Sequence, residues 1–329
     1  MKPTSDRNTT TGFQQLSVTT FDDARVVTRR YAKTFYFASH ALPPEKRLAS
    51  YALYSFCRYV DNMADESTDN ESARMHLAET RRSLECIFDP DQTDSRWGAL
   101  QQTVRLYGIR KEYFLDLLDG VEMDLTDIRF ETFRELHRYC YHVASVVGLM
   151  MTRILQPDSA AALPYAKDLG TAMQLTNILR DIGEDCASGR VYLPRQEMHE
   201  WGISEQDLQK REVTPAFRSF MRVQISRARE FYALAEPGIA LLPDDGSRYC
   251  VRLMSTLYRR ILNAIEANDY DVFTRRAHVS FPAKLRLAAT LPFQGQGSPY
   301  FLLKQSKRKD PRNETHLHQR QASHAVPSI

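Results

Sequence analysis

The chain has 329 residues, 43% hydrophobic and 26% charged, and a net charge of only +3. That fits a soluble globular protein and excludes nucleic-acid binding by overall charge. Only 13 glycines argue against a turn-rich all-β protein, and five widely spaced cysteines without a CxxC argue for a reducing compartment rather than a disulfide frame or a zinc site.

In chain order, residues 1–18 are polar and expected to be loose, and MKPTSDRNTTTG has no apolar core for a signal peptide. Helical periodicity runs from Phe21 to about His40, opened by acids in FDDAR. LPPE at 42–45 breaks that helix and starts the next, with Pro44 in its first turn and an end near Asp65. Helices are then expected near 70–88, 94–107, 111–125 and 131–155. The run LPYAKDLGTAMQLTNILRDIGEDCASGR (163–190) reads as one long helix, followed by a loop through Pro194. Helices near 213–240, 247–268 and 281–289 complete the set. No alternating strand pattern, no internal repeat and no apolar run approaching ~20 residues is visible, so no membrane-spanning helix is expected. The expected architecture is one all-α domain over 19–290, followed by a basic, disordered tail over 291–329. From Lys304 onward six Lys/Arg face two acids, which suits either a solvated tail or attraction to an anionic membrane surface.

Two helices carry similar polar stripes. At 100° per residue, Tyr54, Arg58, Asp61 and Asp65 fall within about 60° of one another. Gln174, Asn177, Asp181 and Asp185 span about 80°. Carboxylates at i, i+4 repel unless a positive group lies between them. A Mg²⁺ ion would serve, because it takes one or two carboxylates plus phosphate oxygens. Arg58 offers a fork suited to phosphate. By spacing alone, each helix is equally an amphipathic helix with a solvated polar face.

The segments YSFCRYVDNMAD, YCYHVASVVGLMM (139–151) and LGTAMQLTNILRDIGEDCASGRVYLP (169–194) resemble the squalene/phytoene synthase family, and the bacterial phytoene synthases most. The resemblance runs from about Tyr31 to Lys284, and Q-x-x-N-x-x-R-D-x-x-E-D followed by R-x-Y-L-P is its most specific part. It implies a single-domain isoprenoid synthase (prenyltransferase) helical bundle with a central cavity. The implied reaction joins two geranylgeranyl diphosphates head to head, through a cyclopropylcarbinyl diphosphate, to phytoene. The alternative is a presqualene diphosphate, dehydrosqualene or squalene synthase acting on farnesyl diphosphate. A rival of another class is a non-catalytic helical scaffold at a membrane surface.

Carried over by the resemblance, Asp61, Asp65, Asp181 and Asp185 hold the metal, Mg²⁺ with Mn²⁺ as a substitute. Tyr54, Arg58, Tyr139 and Tyr258 are the catalytic set, the two latter tyrosines lying near the cation. Lys33, Thr34, Phe35, Ser39, Gln174, Asn177, Arg180 and Arg190 join Arg58 in binding substrate. Ser39, if it faces the tunnel, leaves room for a twenty-carbon tail. Two positions depart from the family pattern: Asn62 replaces a frequent second acid, and Ser145 replaces the glycine usual in phytoene synthases. NADPH is not expected. A cytoplasmic protein associated peripherally with membranes is.

Overall fold

The computed structural model describes residues 18–66, 70–92, 96–125, 128–157 and 159–291, with the side chains of 64–66 left out. About 75% of it is helix, and among the described residues the β pairing is one isolated bridge, Arg129 with Val191.

The helix expected over 21–40 is two. Helix α1 (Phe21–Tyr31) opens on a capping box, with Asp23 N–H donating to Thr20 Oγ1 at 3.2 Å and Thr20 N–H to Asp23 Oδ2 at 2.9 Å. Ala32 (φ −121°, ψ 55°) leaves helical geometry and re-aims the chain into α2 (Lys33–Ser39). Val18, assigned from sequence to the loose leader, is buried and donates its N–H to Arg96 O at 3.0 Å. The remainder of the 1–18 leader lies outside the described residues.

Helix α3 (Pro44–Glu66) starts at the expected proline. It packs with α4 (Asn70–Phe88), α5 (Gly98–Tyr107), α6 (Lys111–Asp124) and α8 (Val146–Leu155) around a core that includes Phe56, Trp97 and Phe114. The helix expected over 131–155 carries an interruption. After α7 (Phe133–Cys140), residues Tyr141–Ser145 form a π-helical turn before α8 begins. The extra residue rotates α8 relative to α7, a phase change invisible to a 3.6-residue pattern. Helix α9 (Ala162–Ala187) crosses this turn and also packs on α8, α12 (Pro215–Ile239) and α13 (Ser247–Ala267). Two short helices lie between α9 and α12: α10 (Arg195–Glu200), which begins inside the stretch expected as loop, and α11 (Glu205–Gln209). The outer α14 (Phe281–Thr290) lies on α13.

Gly170 makes the crossing of α9 and the π turn close. A Cβ there would sit 2.7 Å from Ala144 O and Ser145 Cα, backbone atoms that cannot swing away. Ser145 accordingly faces α9, donating from Oγ to Lys167 O at 2.8 Å. Gly170→Ala is expected to cost about 1–3 kcal/mol by overpacking. Urea unfolding should show a lowered midpoint at unchanged m, and an unchanged midpoint would refute the crossing.

Three apolar clusters result. One is built on α3–α6 and α8, a second on α9 and α12, and a third on α2 with α13. Lys46 ties their edges together: its buried ammonium donates to Leu155 O at 2.8 Å and to Asp245 Oδ2 at 2.7 Å.

Candidate active site

A cavity of about 700 Å³ opens where the three clusters meet. Leu53, Leu117, Leu155, Met173, Leu242 and Met254 line its apolar part. Its polar part is formed by Asp61 from α3 and by Gln174, Asn177 and Arg180 from α9. Tyr54 and Asp61 of one stripe and Gln174 and Asn177 of the other therefore border one space, although they lie more than 100 residues apart. Lys33, Thr34, Phe35, Tyr54 and Tyr258 also line it.

The α9 stripe is held by arginines. Arg180 donates to Asp181 Oδ1 at 2.8 Å, and Arg276 Nη2 reaches the same carboxylate oxygen at 3.0 Å. Arg276 lies in the segment between α13 and α14 and also pairs with Glu184 at 3.4 Å. Sequence reasoning missed it, because nothing local to Arg276 connects it to a motif 95 residues upstream. Asp185 lies one turn beyond Asp181, and Arg190 lies just after α9. Arg58, Asp181, Asp185 and Arg190 do not line the large cavity. The side chain of Asp65, on the last turn of α3, lies outside the described residues.

The donors suit a hard cation. Asn177 lines the cavity with its Oδ1 buried and without a hydrogen-bond partner, while its Nδ2 donates to Gln174 Oε1 at 3.4 Å. An orphaned carbonyl oxygen beside carboxylates is the donor type that Mg²⁺ prefers, and buried polar atoms are rarely left unmatched. Asp61, Asp181 and Asp185 do not converge on one point. Among the described residues the carboxylate and histidine atoms that do converge within 4.8 Å belong to Asp116, Asp119 and His142. Asp116 already accepts from Tyr141 Oη at 3.1 Å, and Asp119 from Arg81 at 2.7 Å. Arg58 lies 5.1 Å from the Tyr31 ring centroid, with its Nε buried and unbonded.

Aromatic groups form part of the wall. Phe35 meets Tyr51 edge-on at 6.2 Å and Tyr54 at 6.0 Å. Burial pushes the Tyr54 and Tyr258 phenols up, so both stay neutral across the physiological range.

Two expectations fail on side-chain direction. Ser39 does not line the cavity: it is fully buried, and its Oγ lies 2.8 Å from Tyr51 Oη and donates to Tyr36 O at 2.9 Å. It sits behind the wall, and the chain-length argument from a tunnel-facing serine falls with it. Tyr139 is likewise buried outside the lining, donating from Oη to Asp124 Oδ1 at 2.9 Å. Tyr192 donates to the same oxygen at 3.3 Å. Burial, with a smaller push from the Asp61 charge, raises the Asp124 carboxyl to about 7 despite these hydrogen bonds and the nearby Arg190 charge. Asp124, at the end of α6, thus lies behind the wall with Tyr139 and feels the Asp61 charge, in a segment without any recognised motif. Asn62 points elsewhere: it is buried, and its Oδ1 has no hydrogen-bond partner.

Known proteins give the same picture. Residues 28–283 match the squalene/phytoene synthase family. Chloroplastic phytoene synthase of Daucus carota is 42% identical over 80% of this chain and 68% of its own. Chloroplastic phytoene synthase 2 of Solanum lycopersicum is 42% identical over 83% and 88%. These relatives are plant proteins, whereas the sequence motifs pointed to a bacterial type. The crystal structure of a dehydrosqualene synthase in complex with a ligand superposes with a TM-score of 0.76 at 29% identity, covering 82% of this chain and 94% of that one.

Proposed function

The chain belongs to the squalene/phytoene synthase family, and from that premise we propose how it acts as a phytoene synthase. It condenses two geranylgeranyl diphosphates head to head to phytoene, with release of diphosphate, in carotenoid biosynthesis. The observation that supports the reading is one cavity lined by Asp61 from one stripe and by Gln174 and Asn177 from the other, with an apolar remainder.

Asp61, Asp65, Asp181 and Asp185 would hold Mg²⁺, with Asn177 Oδ1 and Gln174 as further oxygen donors. Bound there, Mg²⁺ supplies positive charge that stabilises a departing diphosphate. Lys33, Arg58, Arg180 and Arg190 add cationic contacts for the diphosphate oxygens. Arg276 extends that set from outside the sequence motifs. Thr34 and Phe35 position the substrate near the cavity wall. The ring faces of Phe35, Tyr54 and Tyr258 stabilise an allylic cation by roughly 0.5–2 kcal/mol each. Neutral phenols suit this role, and they offer no strong nucleophile to trap the cation. The apolar residues exclude water, which would quench it. Tyr139 acts from behind the wall, through its bond with Asp124. Substrate and product are apolar, and no described helix is long and apolar enough to cross a membrane. Peripheral attachment to a membrane surface is part of the same proposal.

Incubation with geranylgeranyl or farnesyl diphosphate, with and without Mg²⁺ and NADPH, tests the reading. Phytoene from the twenty-carbon substrate, requiring Mg²⁺ and indifferent to NADPH, is the expected product. Fifteen-carbon products alone would move the protein to the squalene branch. No diphosphate release from a folded protein would make it a scaffold.

A further inference from the structure

Helix α14 is apolar on both sides. Its inner side, through Leu287, Ala288 and the following Leu291, packs on the cluster that contains Leu242 and Met254, residues of the cavity wall. Tyr249 Oη donates to Ala288 O at 2.5 Å, and Lys284 Nζ to Thr34 Oγ1 at 2.7 Å. The outward side exposes Phe281, Pro282, Leu285 and Ala289. Phe281 is 64% exposed and Leu285 47%. A surface helix ordinarily turns charged residues outward; here Arg286 is the charged residue on that side.

The segment that carries α14 has charges of one sign. Residues 272–309 hold eight Lys/Arg and no Asp or Glu, and α14 lies within that span. Arg275 and Lys33 are exposed, and Arg276 is paired with Asp181 and Glu184. On the elements packed against α14, α2 has no acid, and the acid of α13, Glu266, is paired with Arg229 at 2.5 Å.

We propose that the outer face of α14 docks on an anionic phospholipid surface, Phe281 and Leu285 entering the lipid and Arg275 and Arg286 meeting the headgroups. The proposal rests on the peripheral membrane attachment proposed for the chain and gives it a place. A ten-residue helix is about 15 Å long, too small a face for the roughly 800 Å² per partner of a stable dimer. A second copy would also bring like charge against like charge. An interfacial helix combines this aromatic and aliphatic face with Lys/Arg alongside. The site also places the apolar cavity one helix layer from the lipid that would take up the product.

Co-sedimentation of the full chain with phosphatidylcholine vesicles, with and without phosphatidylglycerol, tests this, using Phe281→Ser/Leu285→Ser and, separately, Arg286→Glu. Wild type should bind the anionic vesicles. The double variant should bind about tenfold less or weaker still, Arg286→Glu should also bind less, and both should keep wild-type diphosphate release in detergent. The indole of a Leu285→Trp variant should be quenched by bromine-labelled lipid. Wild-type binding matched by both variants overturns this surface and leaves membrane attachment standing. No wild-type binding to either vesicle overturns both. If the indole of Leu285→Trp is shielded from iodide before vesicles are added, the face is covered by residues 292–329 or by a second copy, and the proposal is overturned.

Discussion

Replacing Asp61 with asparagine is expected to lower kcat/KM for Mg²⁺-dependent diphosphate release at least about 10³-fold, or roughly 4 kcal/mol of transition-state stabilisation. Asp61 lines the cavity and is exposed rather than packed into the core, so the amide should leave the fold intact. What changes is charge. An amide oxygen is a far weaker partner for a hard dication, and the leaving diphosphate loses its stabilisation. Asp181→Asn should lose comparable activity for a compound reason, because it also removes the carboxylate that holds Arg180 and Arg276. The check is initial rate across a Mg²⁺ titration, with circular dichroism and melting temperature measured in parallel. A folded Asp61→Asn enzyme retaining a tenth or more of wild-type activity at saturating Mg²⁺ would remove Asp61 from the metal set.

Asp124→Asn is expected to change how stability depends on pH. The Asp124 carboxyl is raised from its ordinary value of 3.8 to about 7, chiefly by burial. Between those values the folded protein holds a proton that the unfolded chain has released. Stability from this group is therefore greatest at low pH and is lost as pH rises toward 7, after which the loss is constant. At about 1.4 kcal/mol per pH unit, the window amounts to roughly 4 kcal/mol. Asparagine has no such titration and keeps an oxygen for the Tyr139 hydroxyl. The stability of the variant relative to wild type should rise from pH 4 to pH 7 and then level off. Urea unfolding of both proteins at several pH values decides it, and a constant difference across that range would show that Asp124 ionises normally.

Both predictions concern carboxylates that feel each other's charge, yet they were unequally legible. Asp61, Asp181, Gln174 and Asn177 announce themselves, because a helix turns residues at i, i+3 and i+4 to one side whatever surrounds it. Asp124 has no such signal. Its role depends on the hydroxyls of Tyr139 and Tyr192, which arrive from α7 and from the segment after α9. Arg276 is similar: only the return of the chain after α13 carries it to Asp181.

The local failures have a common cause. Periodicity could not show that Ala32 divides the first helix, or that a π turn resets the phase before α8. Tyr139 ends up behind the cavity wall, and Ser39, on the separately aimed α2, is turned toward Tyr51. Each was assigned to a surface from its position in a motif, while packing against other helices decided where its side chain points.

By itself, then, the sequence determined the all-α class, most helix positions, the two acidic stripes and the family, since these rest on local spacing and on motifs contiguous in the chain. Only the tertiary structure decided that Asp61 and Asn177 border one cavity, that Asn177 Oδ1 lies there without a partner, that Asp124 is buried enough to hold its proton near neutrality, and that α14 turns Phe281 and Leu285 outward. Those facts depend on which helix faces cover one another, and burial, unlike periodicity, is a property of residues far apart in the chain.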